Sequence, residues 1–176
     1  MRTLSGRPLS RREAAGGGPR PRRFLLDGML GRLAQWLRLM GFDAEYRPGA
    51  RLAQLRREAI LDDRLLLTCR RIPSVPWALR LEESRWPEQL ARVVALLAIR
   101  AEELRPLSRC SLCNAAVLPV EAALLEGAVP PAVLERHQAF FRCPRCRHVY
   151  WAGSHAERIG RVLSALLNPA PRSADE

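Results

Sequence analysis

Not one of the 176 residues is lysine; all 29 basic residues are arginine. A GC-rich coding sequence produces this more simply than selection for guanidinium chemistry does. The excess of charge therefore carries information, and the choice of arginine carries little. The chain also lacks any uncharged apolar run near the roughly 18 residues that a membrane span needs. No apolar segment of secretory type follows the first arginines, which argues against export and places the cysteines in a reducing compartment, the cytoplasm. Acids are few: 18 against 29 bases, a net charge of +11. That balance favours an anionic partner, nucleic acid first. Apolar residues make up 48%, enough for the core of one ordinary domain, or of a small domain with an appendage.

Residues Met1 to Arg23 hold seven arginines, one acid (Glu13) and the run Gly16-Gly17-Gly18-Pro19. With almost nothing to bury, this segment reads as disordered. A mitochondrial address, a mis-assigned start codon and a basic arm on nucleic acid are all compatible with it. Asn168 to Glu176 reads as a second loose end. Between them the pattern alternates. Phe24-Leu25-Leu26 and Leu65-Leu66-Leu67 are short continuous apolar runs, typical of strands buried on both faces. Leu30, Leu33, Leu37 and Met40 recur at helical spacing and end at Gly41. Ala44 to Tyr46 and Trp77 to Leu81 are expected strands, Arg51 to Ile60 a helix, and Pro87 opens another helix whose inward face is Leu90, Val93, Val94 and Leu97. This rhythm predicts an α/β fold, a parallel sheet covered by helices.

The rhythm breaks at Pro106. Cys110-Ser-Leu-Cys113 is followed, 29 residues later, by Cys143-Pro-Arg-Cys146. Two CxxC knuckles supply the four thiolates of a tetrahedral zinc site, closed and therefore structural. His148 is a competing ligand on position alone, but the four cysteines suffice. Cys69 is left over and reads as a small apolar residue after a buried strand. The expected organisation is a basic tail over residues 1–22, an α/β domain over 23–105, a zinc ribbon with an inserted helix (Pro130 to Phe141) over 106–160, and a helix end and tail over 161–176.

Phe24-Leu25-Leu26-Asp27-Gly28-Met29-Leu30-Gly31-Arg32-Leu33-Ala34-Gln35-Trp36-Leu37-Arg38-Leu39-Met40-Gly41-Phe42-Asp43 resembles the opening of the Mut-seven C-terminal RNase-like domain family. Val129-Pro130-Pro131, Phe141-Arg142-Cys143-Pro144, Val149-Tyr150-Trp151 and Gly153-Ser154-His155-Ala156-Glu157-Arg158-Ile159 resemble its ending. The likeness spans Phe24 to Ile159, about three quarters of the chain. It implies a PIN-like domain followed by a zinc ribbon, RNA as substrate class, and acids that hold magnesium or manganese. Asp27, directly after the first strand, is implied to be a catalytic metal ligand; by itself it reads first as a helix cap. Asp43 matches the family's second aspartate, or caps a turn.

The middle departs from the family. Where acids are expected after the second strand, the chain has Arg47-Pro48-Gly49-Ala50-Arg51. The family's threonine-arginine-aspartate motif reads Thr68-Cys69-Arg70 here, a cation in place of the acid. Asp62 and Asp63 precede the third strand and belong at its opposite end, roughly 15 Å away. Only eight residues, Cys69 to Pro76, lead to the fourth strand, too few for a crossover helix. The expected function is therefore an RNA-binding PIN-like domain with a degenerate ribonuclease site; an active metal-dependent ribonuclease is the alternative. Single-stranded RNA is the expected partner, and protein partners are left open. Its candidate contacts are Arg32 (with Trp36 one helical turn on), the knuckle arginines Arg142, Arg145 and Arg147, the aromatics Tyr150 and Trp151, and His155. Each has an ordinary structural alternative: a cation–π pair for Arg32 and Trp36, aromatics packed beneath a solvated knuckle for the knuckle residues, and a tie between ribbon and main domain for His155.

Overall fold

The computed structural model describes residues 22–153 and 160–165, so the readings of the arginine-rich start, of Ser154 and His155, and of the last residues fall outside it. The apolar triplets form strands, as their continuous burial requires. In β1 (Arg23–Asp27), Phe24, Leu25 and Leu26 are all but inaccessible. Side chains alternate across a strand. Phe24 and Leu26 pack with Leu33 and Leu37 of α1 (Gly31–Leu39) and with Leu90 and Val93 of α3 (Trp86–Leu96). Leu25 faces the other way, with Leu66 of β3 (Leu65–Thr68) and with Leu55 and Ala59 of α2 (Leu52–Leu61). Three layers result, helices on both faces of a sheet that also contains β2 (Asp43–Arg47) and β4 (Ala78–Arg80).

The strand order is β2-β1-β3-β4, every pair parallel. The chain runs outward from β1 to β2, then crosses back to β3. The carboxyl ends of β1 and β3 therefore flank the point where the winding reverses, the place where open α/β sheets bind ligands. Asp27 and Thr68 are those two ends. β3 and β4 pair in parallel although residues 69–77 between them contain no helix. A connection this short leaves no room for a crossover helix.

α1 ends on Gly41, whose φ of +94° is open to glycine alone at low cost. Phe42 N donates to Leu37 O and Gly41 N to Arg38 O, the two bonds of a Schellman cap. A Cβ at Gly41 would also overlap the Arg105 carbonyl. Arg105 N in turn donates to Met40 O as the chain leaves for the second sheet.

That sheet is antiparallel, in the order β5 (Leu118–Val120), β6 (Phe140–Arg142), β7 (Val149–Trp151). The helix expected from Pro130 to Phe141 is shorter: α4 is Pro131–Arg136. Phe140 and Phe141 belong to β6, where Phe140 pairs with both Val120 and Trp151 and is buried against Leu125 and Val129. Ladder bonds on both sides outweigh one more helical turn. Residues 160–165 are helical, and Leu163 returns to pack in the cluster beneath α1 and α3.

Candidate functional site

Asp27 is buried, at 1% exposure. Both of its carboxylate oxygens are engaged. Gly28 N donates to Oδ1 at 2.6 Å, and Thr68 Oγ1 donates to Oδ2 at 2.7 Å. The strand register places Thr68 there, since Leu26 pairs with Leu67. Arg70 completes the set: its Nη2 donates to Oδ1 at 3.0 Å and its Nε lies 2.8 Å from Oδ2. This is a two-pronged guanidinium–carboxylate pair, the strongest common form. Arg70 Nη2 also reaches Ala50 O, and Arg70 N donates to Thr68 Oγ1. The cation read as replacing the family's acid thus lies directly on the remaining one.

A magnesium or manganese ion wants about six oxygen ligands, carboxylates prominent among them. Among the described residues, the only group of three or more His, Cys, Asp or Glu side chains able to share an ion is Cys110, Cys113, Cys143 and Cys146. With Arg70 seated on Asp27, the residues at this strand end do not fit a divalent ion. Arg47 and Arg80, at the ends of β2 and β4, pair with Glu45 and Glu58 and with Glu82 respectively. Glu83 was passed over in the sequence. It lies just beyond β4, near enough for its charge, with burial and Asp27, to push the Cys69 thiol up. Its position after the fourth strand was the available signal. Cys69 is thereby kept a thiol, as expected of an inert residue.

Asp43 is not brought to Asp27. In the β1–β2 register Arg23 faces Asp43 and Asp27 faces Arg47, so the two aspartates lie at opposite ends of the sheet, roughly 13 Å apart along the strands. Asp43 instead accepts from Arg64 at 2.7 Å and from Asn114 Nδ2 at 2.8 Å, with Arg23 and Arg109 nearby. Burial alone would raise its pKa, but the bonds from Arg64 and Asn114 hold it at about 2. Its role is to fasten the second sheet to the first. Asn114 also donates to Glu45 and accepts from Ala44 N, while the buried Arg38 donates to Ala44 O and to the carbonyls of Ser111 and Leu112 in the first knuckle.

The four cysteines form the second centre. Their sulfurs lie within 4.8 Å of one another, with Cys110–Cys146 and Cys113–Cys143 at 3.4 Å. A tetrahedron with Zn–S bonds near 2.3 Å has edges of about 3.8 Å, so the set fits a zinc ribbon. Each knuckle aims a backbone amide at its first sulfur, Cys113 N at Cys110 and Cys146 N at Cys143. Burial pushes the Cys110 thiol up. The Tyr150 hydroxyl, the amides of Cys113 and Leu112, and Cys146 pull it down further, to about 7. Cys113 is pushed up to about 12, chiefly by burial. Four thiols so close cannot ionise together without a cation, and zinc would supply that charge. His148 lies outside the set, its ring edge-on to Tyr150.

The candidate RNA contacts divide. Tyr150 turns inward: its hydroxyl donates to Cys110 Sγ at 3.1 Å and accepts from Ser111 N. Trp151 packs with Val120, Val133 and Phe140. Both pack against the ribbon's interior and both stay partly exposed. Trp36 stacks on Trp86, with ring centroids 4.7 Å apart, and not on Arg32, which stays exposed. Arg142 and Arg147 line one cavity; Arg145, exposed on the turn between them, does not. His155 lies outside the described residues.

The model of the family described as the Mut7-C RNAse domain matches residues 22–163. No curated protein and no solved structure matches the chain.

Proposed function

We propose, from the premise that the chain belongs to the Mut7-C RNAse domain family, that it binds single-stranded RNA and that its own arginine closes the nuclease site. The observation that carries the reading is the pair between Arg70 and the buried Asp27. Family membership supports a nucleic-acid partner, and the net charge of +11 supports a polyanion. A guanidinium on the buried carboxylate at the end of β1 supports closure. It satisfies the carboxylate that a metal would need and puts a positive charge where a divalent ion would sit. No helix among the described residues is long and apolar enough to cross a membrane. Five uncrosslinked thiols support a reducing compartment, and we place the protein in the cytoplasm.

One observation favours the alternative, an active metal-dependent ribonuclease. The Arg70 side chain is 40% exposed, so it has room to swing off Asp27. A cleavage assay on labelled single-stranded RNA in manganese separates the two. Closure predicts no cleavage by the wild type above that of Asp27→Asn, and retained binding by both. A gain of cleavage in Arg70→Asp would identify that position as the block. Robust wild-type cleavage lost in Asp27→Asn would establish the alternative.

A further inference from the structure

We propose that the cavity between β5 and the second knuckle of the ribbon is a seat for one unpaired nucleotide of single-stranded RNA; this rests on the RNA-binding reading above and gives it a place. The cavity measures about 340 Å³. That is the lower end of small-ligand pockets, and suited to one base with its sugar and phosphate. Its apolar lining is Leu118, Pro119 and Val120 of β5 with Cys143 and Pro144 of the second knuckle. Arg142 and Arg147 complete the lining, which contains no acid. Neither arginine has an ion-pair or side-chain hydrogen-bond partner among the described residues, whereas Arg38, Arg47, Arg64 and Arg70 are all engaged.

An apolar lining shared with two free guanidinium groups asks for a flat, weakly polar body carrying negative charge. A splayed base answers the first requirement: proteins that read single strands stack bases on apolar and guanidinium surfaces. Its phosphate answers the second, since guanidinium forks match phosphate oxygens. A duplex keeps its bases stacked and would touch only the arginines. An acidic peptide would pair with the arginines and leave the apolar lining exposed. Arg145, outside the cavity, is left to approach a neighbouring phosphate without specificity.

The full chain, loaded with zinc, is tested by fluorescence anisotropy against a labelled single-stranded RNA. A strand of the same length with abasic sites and an acidic peptide of equal charge serve as comparisons. The seat predicts that removing the bases weakens binding by about tenfold. The acidic peptide should not compete at matched charge. Leu118 is 56% exposed, so Leu118→Asp should leave fold and zinc content intact while lowering affinity by about tenfold. Arg142→Gln with Arg147→Gln should reduce the salt slope by about 1.4, two phosphate contacts at roughly 0.7 each. Glutamine is unbranched and suits the left-handed φ of +63° at Arg147 no worse than arginine does. If the wild type binds RNA but the abasic strand binds equally well, or Leu118→Asp changes nothing, the seat is refuted and the RNA reading stands. If the wild type binds no RNA at all, the reading itself fails and the seat with it.

Discussion

Asp27 holds two hydrogen bonds and an arginine in a setting with 1% exposure. A buried carboxylate needs a cation, and the fold supplies one from its own chain, at the residue where an acid was expected. The sequence showed the reversal of charge but not its consequence. Read along the chain, Arg70 is a cation in place of an acid. In three dimensions it is the bonded partner of the buried acid at the end of β1. That difference was illegible because it depends on the reach of a flexible side chain across two strand ends. The pair is separable by experiment. Arg70→Met strands a buried charge and should lower stability by about 2 kcal/mol, less than for a fully buried ion pair because Arg70 is partly exposed. Asp27→Asn with Arg70→Met removes both charges and should recover part of that loss. Urea unfolding of the four proteins gives the coupling; simple additivity of the two single losses would mean the pair stabilises nothing.

Elements were most legible where periodicity was strong. α1 was written in Leu33, Leu37 and Met40 and ended by Gly41, and the Schellman cap forms there. α4 was least legible. Pro130, Pro131 and the apolar residues after them carry a helical start, but nothing local says that Phe140 will be claimed by two neighbouring strands. Strand β2 shows the same limit in its chemistry. Asp43 matched a family aspartate, yet the register sends it to the amino end, where it ties β2 to Arg64 and Asn114. Its pKa is about 2 in the folded protein, against about 3.9 in an unfolded chain. A depressed carboxylate stabilises fully above the unfolded value and loses its contribution as the pH falls toward the folded one. Stability should therefore drop by about 2 kcal/mol between pH 4 and pH 2 through this group alone. Asp43→Asn should be less stable at pH 6 and flatter across that window in urea titrations. An equally steep fall in the variant would assign the acid sensitivity elsewhere.

At the scale of the whole molecule, two sheets with separate cores act through one seam. The parallel sheet and the four-cysteine motif were both readable from sequence, because burial and metal ligation each leave a fixed spacing. The seam was not, since it is made by single polar residues: Arg38 on α1, Asn114 just past the first knuckle, and Asp43 and Glu45 on the exposed edge of the sheet. Arg38 donates to the carbonyls of Ser111 and Leu112, which lie inside the Cys110–Cys113 turn. A metal that shapes that turn therefore also holds the carbonyls in place for a buried guanidinium. Removing it should be felt in the first sheet. A chelator strong enough to strip zinc should unfold the ribbon, whose cysteine cluster is small. It should also increase amide exchange in β2, the edge strand that Asn114 and Arg38 cover, with little change in the central strands β1 and β3. Asn114→Ala cuts part of the seam while leaving the four cysteines intact. In that variant β2 should already exchange faster with zinc bound, and chelation should add less. Equal protection of β2 before and after zinc removal in the wild type would mean that the two sheets are stable independently of each other.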